Sequence, residues 1–396
     1  MCIRDRIKTL ATYHIPNQKK SLLPCILCSV VFCCFTFIYL FSYQCDVLAV
    51  TQHVLSNGQT YYDKTIGAIL ITVILYLLHI SIFWFFRLSR IGYALTFFPS
   101  LLLLTALTDI DTEKIYHHSA LGAWWWVIPL LLLLCFFALR YLKQKVSYKV
   151  TQASYNVLSR PMWINFLSLM FMFCMVCTFS NHDKFYHYRA KMEVAIHEHR
   201  FEDALKVGEN SLHTDSSLVM LRAYALSKVK RLGEDLFEYP LQGGSEALLP
   251  NGESVKMLML PTNEIQHYLG RSMKSSMKVV HYLEFLERHH LGKSAIGDYL
   301  LCAYLLDKRL DDFVKLLPKY YEINANLPKH YSEALILYTH LRSQPSVTYT
   351  NNVMDADYED YQTIAKKYPN TLVRKTNVRD IYGKTYWYYY QYSSNG

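Results

Sequence analysis

The first 180 residues contain five apolar runs that lack Asp, Glu, Lys and Arg altogether, and residues 181–396 contain no comparable run. The missing charge excludes ordinary surface helices, which need a polar face. Crossing the hydrocarbon core takes about 20 helical residues, and unbroken rather than alternating apolarity favours helices over barrel strands. We therefore predict a five-helix transmembrane bundle within residues 1–180. The runs occupy residues 22–41, 66–86, 91–107, 121–139 and 161–179.

Recognisable catalytic signatures are also missing. The chain has no Walker loop, no Gly-x-Ser-x-Gly, no His-Glu-x-x-His and no dinucleotide fingerprint,. The spans hold no acidic or basic group that could couple transport to an ion, and we expect His79, inside the second span, to be a hydrogen-bonded packing residue. Cys302 is the single cysteine after residue 180, which excludes an internal disulfide there. The sequence therefore indicates no reaction and no cofactor, and favours a binding protein over an enzyme.

The charge is unevenly distributed. The net charge is +9, yet residues 181–396 hold 27 Lys and Arg against 26 Asp and Glu, so no basic stripe indicates nucleic-acid binding,. The excess lies in alternate loops of the membrane half, which the positive-inside rule assigns to the cytoplasm. One set of loops holds Arg4, Arg6, Lys8, Lys19, Lys20, Arg87, Arg90, Arg140, Lys143, Lys145, Lys149 and Arg160, and the opposite loops hold only Lys64 and Lys114.

This asymmetry predicts an integral inner-membrane protein whose N-terminus is cytoplasmic. Five spans then place residues 181–396 in the periplasm. Trp124, Trp125 and Trp126 fit an aromatic belt at the outer face. The first six residues resemble translated adapter sequence, which would place the native start upstream. The orientation then holds for an even number of missing spans.

Residues 181–396 change to a helical period, with Gly and Pro between periodic segments,. Short helices joined by short loops predict an α-solenoid. The predicted helices are residues 183–199, 201–213, 217–230, 262–270, 272–290, 294–307, 311–323, 329–343, 357–368 and 376–390.

One segment carries a repeat pattern. Phe201-Glu-Asp-Ala204-Leu205 opens a helix with a small residue at its fourth position, and Ala195 lies seven residues after Tyr188. In this spacing residues 188–212 resemble a tetratricopeptide repeat, although the pattern departs at Gly208 and Ser211. The resemblance implies stacked helix pairs with an extended binding face. Weaker copies cover residues 217–239 and 295–328, the latter with Leu310-Asp-Asp-Phe313 at the corresponding turn.

Residues 242–261 interrupt this pattern. Gly243-Gly244 opens the segment, Pro250-Asn251-Gly252 is a turn signal and Pro261 closes it,. A small hairpin pairing residues 247–249 with 255–260 is expected across that turn. Long loops in helical arrays often lie on the working face; a solvated insertion is the alternative.

Two clusters are candidate sites. The C-terminal aromatics form either a capping helix or an exposed ladder that binds a peptide or glycan, or rests on the membrane. Its candidate binding residues are Tyr382, Tyr386, Trp387, Tyr389 and Tyr390.

The other candidate is the loop between the third and fourth spans. Asp109 and Asp111 could hold a divalent metal on a lipid-linked phosphate, with His117 or His118 as general base or phosphate contact,. A solvated acidic loop is the alternative.

The segments Gly-Ser-Glu-Ala-Leu-Leu-Pro and Tyr-Trp-Tyr-Tyr-Tyr, together with the architecture, resemble an uncharacterised family of Bacteroidota membrane proteins with a tetratricopeptide-like periplasmic tail. The resemblance implies a location and no mechanism. We therefore predict a membrane-anchored scaffold that contacts the lipid bilayer and binds an envelope protein or peptide. The alternative is a metal-dependent membrane glycosyltransferase, and an ion-coupled transporter ranks last.

Overall fold

The computed structural model describes residues 18–86, 90–111, 115, 122–146, 160–252, 255–261, 263–272 and 277–393. Throughout these ranges the regular structure is helical and no strand is present. The chain forms two compact units, Met1–Asp183 and Lys184–Gly396.

Among the residues that the structure describes in the first unit, four helices are long and apolar enough to cross a membrane: Cys25–Tyr43, Lys64–Phe86, Trp124–Leu142 and Met162–Phe179. The helices of this unit are α1 (Gln18–Ile38, continued by a π-helical turn Tyr39–Tyr43), α2 (Cys45–Leu55), α3 (Lys64–Phe86), α4 (Phe98–Thr108), α5 (Trp124–Val146) and α6 (Arg160–Phe179).

The remaining apolar run, residues 91–107, is not one regular helix. A 3₁₀ segment, Arg90–Phe97, leads into α4, and the backbone at Gly92 leaves helical geometry. Pro99 stands at the start of α4, where its missing N–H is tolerated,. This segment lies inside the bundle, because Phe97, Leu101 and Leu104 are almost fully buried.

His79 of α3 is buried against this segment. Its Nε2 lies 2.9 Å from the Tyr93 hydroxyl and its Nδ1 lies 3.0 Å from Thr96 Oγ1. Its ring also stacks on Phe97, with centroids 3.6 Å apart. The predicted packing role of His79 is therefore confirmed.

The second unit is a succession of short helices around one core. They are α7 (Lys184–His197), α8 (Phe201–Lys206), α9 (Ser216–Lys228), α10 (Leu232–Asp235), α11 (Glu264–Leu269), α12 (Val279–Arg288), α13 (Ile296–Leu306), α14 (Leu310–Tyr320), α15 (Lys329–Leu341), α16 (Asn352–Lys367), α17 (Thr371–Tyr382) and α18 (Tyr386–Tyr392). Neighbours in sequence pack together, as α7 with α8 and α13 with α14.

Three of the helix pairs share a turn that ends in an arginine. After α7, α9 and α13 the chain passes through His199, Lys230 and Lys308, each with φ near +60°. The following arginine then donates its N–H five residues back, at 2.8 Å in each case. This is the Schellman ending, here without glycine. The three arginines are Arg200, Arg231 and Arg309, each paired with an aspartate in the next helix.

The insertion at residues 242–261 is not a hairpin, which corrects the sequence expectation. Residues Gly244–Leu248 form a 3₁₀ helix. Leu248, Leu249 and Val255 are buried in the core of the unit. Apolar burial therefore holds this segment in place, so neither β pairing nor a solvated loop describes it.

Candidate functional site

The C-terminal aromatic segment is built by a helix break that the sequence pattern did not indicate. One helix was expected over residues 376–390, but α17 ends at Tyr382 and α18 begins at Tyr386. Thr385 caps α18, since its hydroxyl accepts the Tyr388 N–H at 3.3 Å,. The break turns α18 back onto α15 and α13.

Glu333 of α15 anchors the start of α18. Its carboxylate accepts the Tyr386 N–H at 2.7 Å, and its backbone carbonyl accepts the Trp387 indole N–H at 2.7 Å. Tyr386 and Tyr389 donate their hydroxyls to the carbonyls that end α13, at 3.2 and 2.8 Å. Burial raises the pKa of Tyr386 well above its ordinary value and that of Tyr389 to about 12, so both remain donors.

This packing buries two of the five predicted binding residues and leaves the other three partly exposed. Tyr386 and Trp387 are 0% and 3% exposed. Because both side chains pack in the core and donate hydrogen bonds to backbone carbonyls, they are not part of an exposed aromatic ladder. Tyr382, Tyr389 and Tyr390 remain partly exposed.

A groove of about 630 Å³ opens beside α18, against α15 and α16. Its floor is aromatic, from Tyr358, Tyr361, Trp387 and Tyr390. The Tyr361 hydroxyl, which donates to the Trp387 carbonyl at 3.2 Å, fixes one wall. The size and the apolar floor are typical of a binding site for a small segment or molecule.

The rim of the groove is polar and positive. Lys366 and Arg374 line it together with Gln362 and Gln391, and no carboxylate stands among the described lining residues. The Arg374 guanidinium is oriented by the turn before α17, where it donates to the carbonyls of residues 368 and 369 at 2.7 and 3.0 Å. The groove can therefore accept an apolar group together with an anionic one.

The second candidate site is only partly described. Asp109 follows α4, and its carboxylate accepts the Trp124 indole N–H at 2.6 Å. Asn181 holds the same loop, since its amide donates to the Ile110 carbonyl at 2.5 Å, a contact that the sequence did not indicate. His117 and His118 lie outside the described residues. Within the described part of the chain, no three His, Cys, Asp or Glu side chains group to hold a metal, so the metal site stays a prediction.

Comparison with known protein families matches residues 112–294 and 280–393 to a family of unknown function (DUF6057). No curated protein and no solved structure matches this chain. Because the matched segments cover more than half of its length, the chain belongs to this family of unknown function.

Proposed function

We propose that this protein is a membrane-anchored scaffold whose helical unit binds an envelope protein or peptide in the groove beside α18. The observation that supports this most is the combination of an aromatic floor with the positive rim of Lys366 and Arg374. Such a groove can bind a ligand without carrying out a reaction on it. The partner segment should offer an aromatic or branched apolar side chain next to a carboxylate.

The anchor, in this proposal, crosses the membrane five times. Beyond the break at Gly92, Tyr93–Phe97 rises about 10 Å at 2.0 Å per residue and α4 adds about 16 Å, so the regular part covers about 26 Å of a hydrocarbon core of about 30 Å,. The segment also follows α6 along its length. Asn165 accepts the Ala94 N–H at 3.0 Å near one end, and Thr108 accepts the Asn181 N–H at 3.2 Å at the other.

Five alternating crossings and the loop charges then give the proposed orientation. The N-terminus is cytoplasmic, the membrane is the inner membrane, and Lys184–Gly396 is periplasmic. The exposed indoles agree with two interfacial belts, because Trp125 and Trp126 stand at the start of α5 while Trp84 stands near the end of α3. The repeated Arg-Asp turns support tetratricopeptide-like helix pairs as the form of the periplasmic unit.

The binding proposal is tested by cross-linking and co-purification of the full-length protein from its native membrane. Ala365→Trp on the groove wall fills it with an indole, and Thr363→Trp, exposed and outside the groove, is the matched control. The partner should be lost from the first variant and retained by the second.

A charge pair completes the test. Lys366→Glu reverses the rim charge, and its neighbour Lys367→Glu changes net charge equally outside the groove. Only the first should weaken capture of an acidic segment. Equal capture by both, or undiminished capture by Ala365→Trp, would refute the groove as the binding site.

A further inference from the structure

An apolar groove of about 920 Å³ lies in the first unit between α4, α5 and α6. Its walls are formed within residues 95–105, 124–131 and 167–179. Among its described lining residues, the polar side chains apart from the Trp124 indole are Thr105 and Ser168. Thr105 already donates to the Leu101 carbonyl at 2.9 Å. Water would find few partners there, so an apolar occupant is favoured.

The depth of the groove indicates what kind of apolar group fits. The wall on α6, residues 167–179, covers about 18 Å at 1.5 Å per residue, whereas half of the hydrocarbon core is about 15 Å. The lining residues nearest the helix ends are Trp124, the first residue of α5, and Phe179, the last residue of α6. The groove is therefore one leaflet deep. A transmembrane helix of a partner would need the full thickness, but a lipid chain needs one leaflet.

The wall side chains suit a flexible chain. Met172 and Met175 of α6 face the groove together with Phe98 and Phe171. Methionine is unbranched and polarizable, and it adapts to irregular apolar shapes. A hydrocarbon tail has the same properties.

Among the described residues, one carboxylate lies at the Trp124 end of the groove. Asp109 accepts the Trp124 indole N–H at 2.6 Å, and Asp111 is two residues further along the chain. Carboxylates attract an ammonium headgroup and repel an isoprenoid phosphate, whose only charge is negative. The charge at this end of the groove therefore selects among lipids with similar tails.

We propose that this groove binds one acyl chain of an ethanolamine phospholipid, with the ammonium at Asp109 and Asp111. The lipid comes from the leaflet at the Asp109 end. This proposal rests on the membrane insertion proposed above.

The test uses full-length protein in nanodiscs of phosphatidylethanolamine that contain a trace of the same lipid with a diazirine-bearing acyl chain. Labelled positions are mapped by mass spectrometry. Labelling at Leu102, Val127 and Met175 of the groove should exceed that at Leu70 and Leu77, which face lipid on α3, by about tenfold, corresponding to about 1.4 kcal/mol of preference.

Ser168→Phe fills the groove with a phenyl ring and should abolish its labelling. Ser81→Phe makes the same change at a lipid-facing serine of α3 and should leave the labelling unchanged. Even labelling of groove and α3, or no effect of Ser168→Phe, would overturn the site. Equal labelling by a phosphatidylglycerol probe overturns the headgroup preference, and displacement by a polyprenyl phosphate overturns the occupant. Failure of membrane insertion would appear separately, as release of the protein from membranes by alkaline carbonate.

Discussion

Glu193 is expected to hold the 255–260 segment against α7. Its side chain is 0% exposed, and its carboxylate accepts the N–H groups of Leu258 and Met259, each at 2.6 Å. Arg189, one turn earlier, lies 3.3 Å from the same carboxylate and donates to the Lys256 carbonyl at 2.6 Å. Beside the apolar burial of the segment, this ion pair therefore binds the backbone of residues 256, 258 and 259, and its loss should expose these backbone groups to solvent.

The magnitude follows from these contacts. A hydrogen bond to a charged group contributes about 1.5–3 kcal/mol, so removing two of them in Glu193→Ala should cost about 3–6 kcal/mol of local stability. Since 1.4 kcal/mol is tenfold, amide protection at Leu258 and Met259 should fall by about 10²–10⁴. Hydrogen exchange of the full-length protein, read by mass spectrometry over residues 255–260, measures this.

Two variants separate local opening from general unfolding. Glu193→Gln keeps an acceptor oxygen and loses the charge, so it should lower protection less than Glu193→Ala does. Glu198→Ala removes a partly exposed partner of Arg200 on the same chain segment and should cost about 0–1 kcal/mol,. A change of less than about tenfold in protection at these amides in Glu193→Ala, or an equal change in Glu198→Ala, would contradict the anchoring role of Glu193.

Three further outcomes are expected. Trp387→Phe leaves a buried carbonyl on α15 without its donor and should lower the free energy of unfolding by about 1–3 kcal/mol in denaturant titrations; no change would mean that water replaces the indole. Gly270→Ala puts a β-carbon against the Leu291 carbonyl and should lower the free energy of unfolding by about 1–3 kcal/mol in the same titrations,. An unchanged denaturation midpoint would show that the loop at Leu291 moves away without loss of stability. Asp109→Asn with Asp111→Asn should leave partner capture intact if the protein is a scaffold; loss of retained lipid-linked glycan would instead support the glycosyltransferase alternative.

The turns of the second unit show what the sequence pattern could and could not give. The helical period predicts α7, α9 and α13 to within a few residues, because the buried face of a helix fixes the spacing of its apolar residues along the sequence,. The shared Arg200, Arg231 and Arg309 turns are also visible in sequence, as His-Arg or Lys-Arg before an acidic helix start. The sequence pattern alone does not predict this turn, because non-glycine residues at positive φ carry no strong local signal.

The functional sites depended more on contacts between distant segments. Tyr386 and Trp387 have the composition of an exposed aromatic ladder, and only their bonds to Glu333, more than fifty residues earlier, place them in the core. The groove beside α18 likewise joins residues of α15, α16 and α18. The sequence identified Trp387 and Tyr390 as candidates and gave no indication of Lys366 or Arg374.

The sequence by itself determined the division into an apolar and a polar half, the helical class, the charge asymmetry of the loops and most helix positions. Each of these depends on local composition or on a spacing of a few residues, which physical chemistry links directly to burial in lipid or in a core. The tertiary structure alone decided that residues 91–107 fold as a 3₁₀ segment and a short helix within the bundle. It also decided that residues 242–261 are core and that the C-terminal aromatics line a groove. Those outcomes depend on which distant side chains satisfy each buried polar group, and no local pattern encodes that choice.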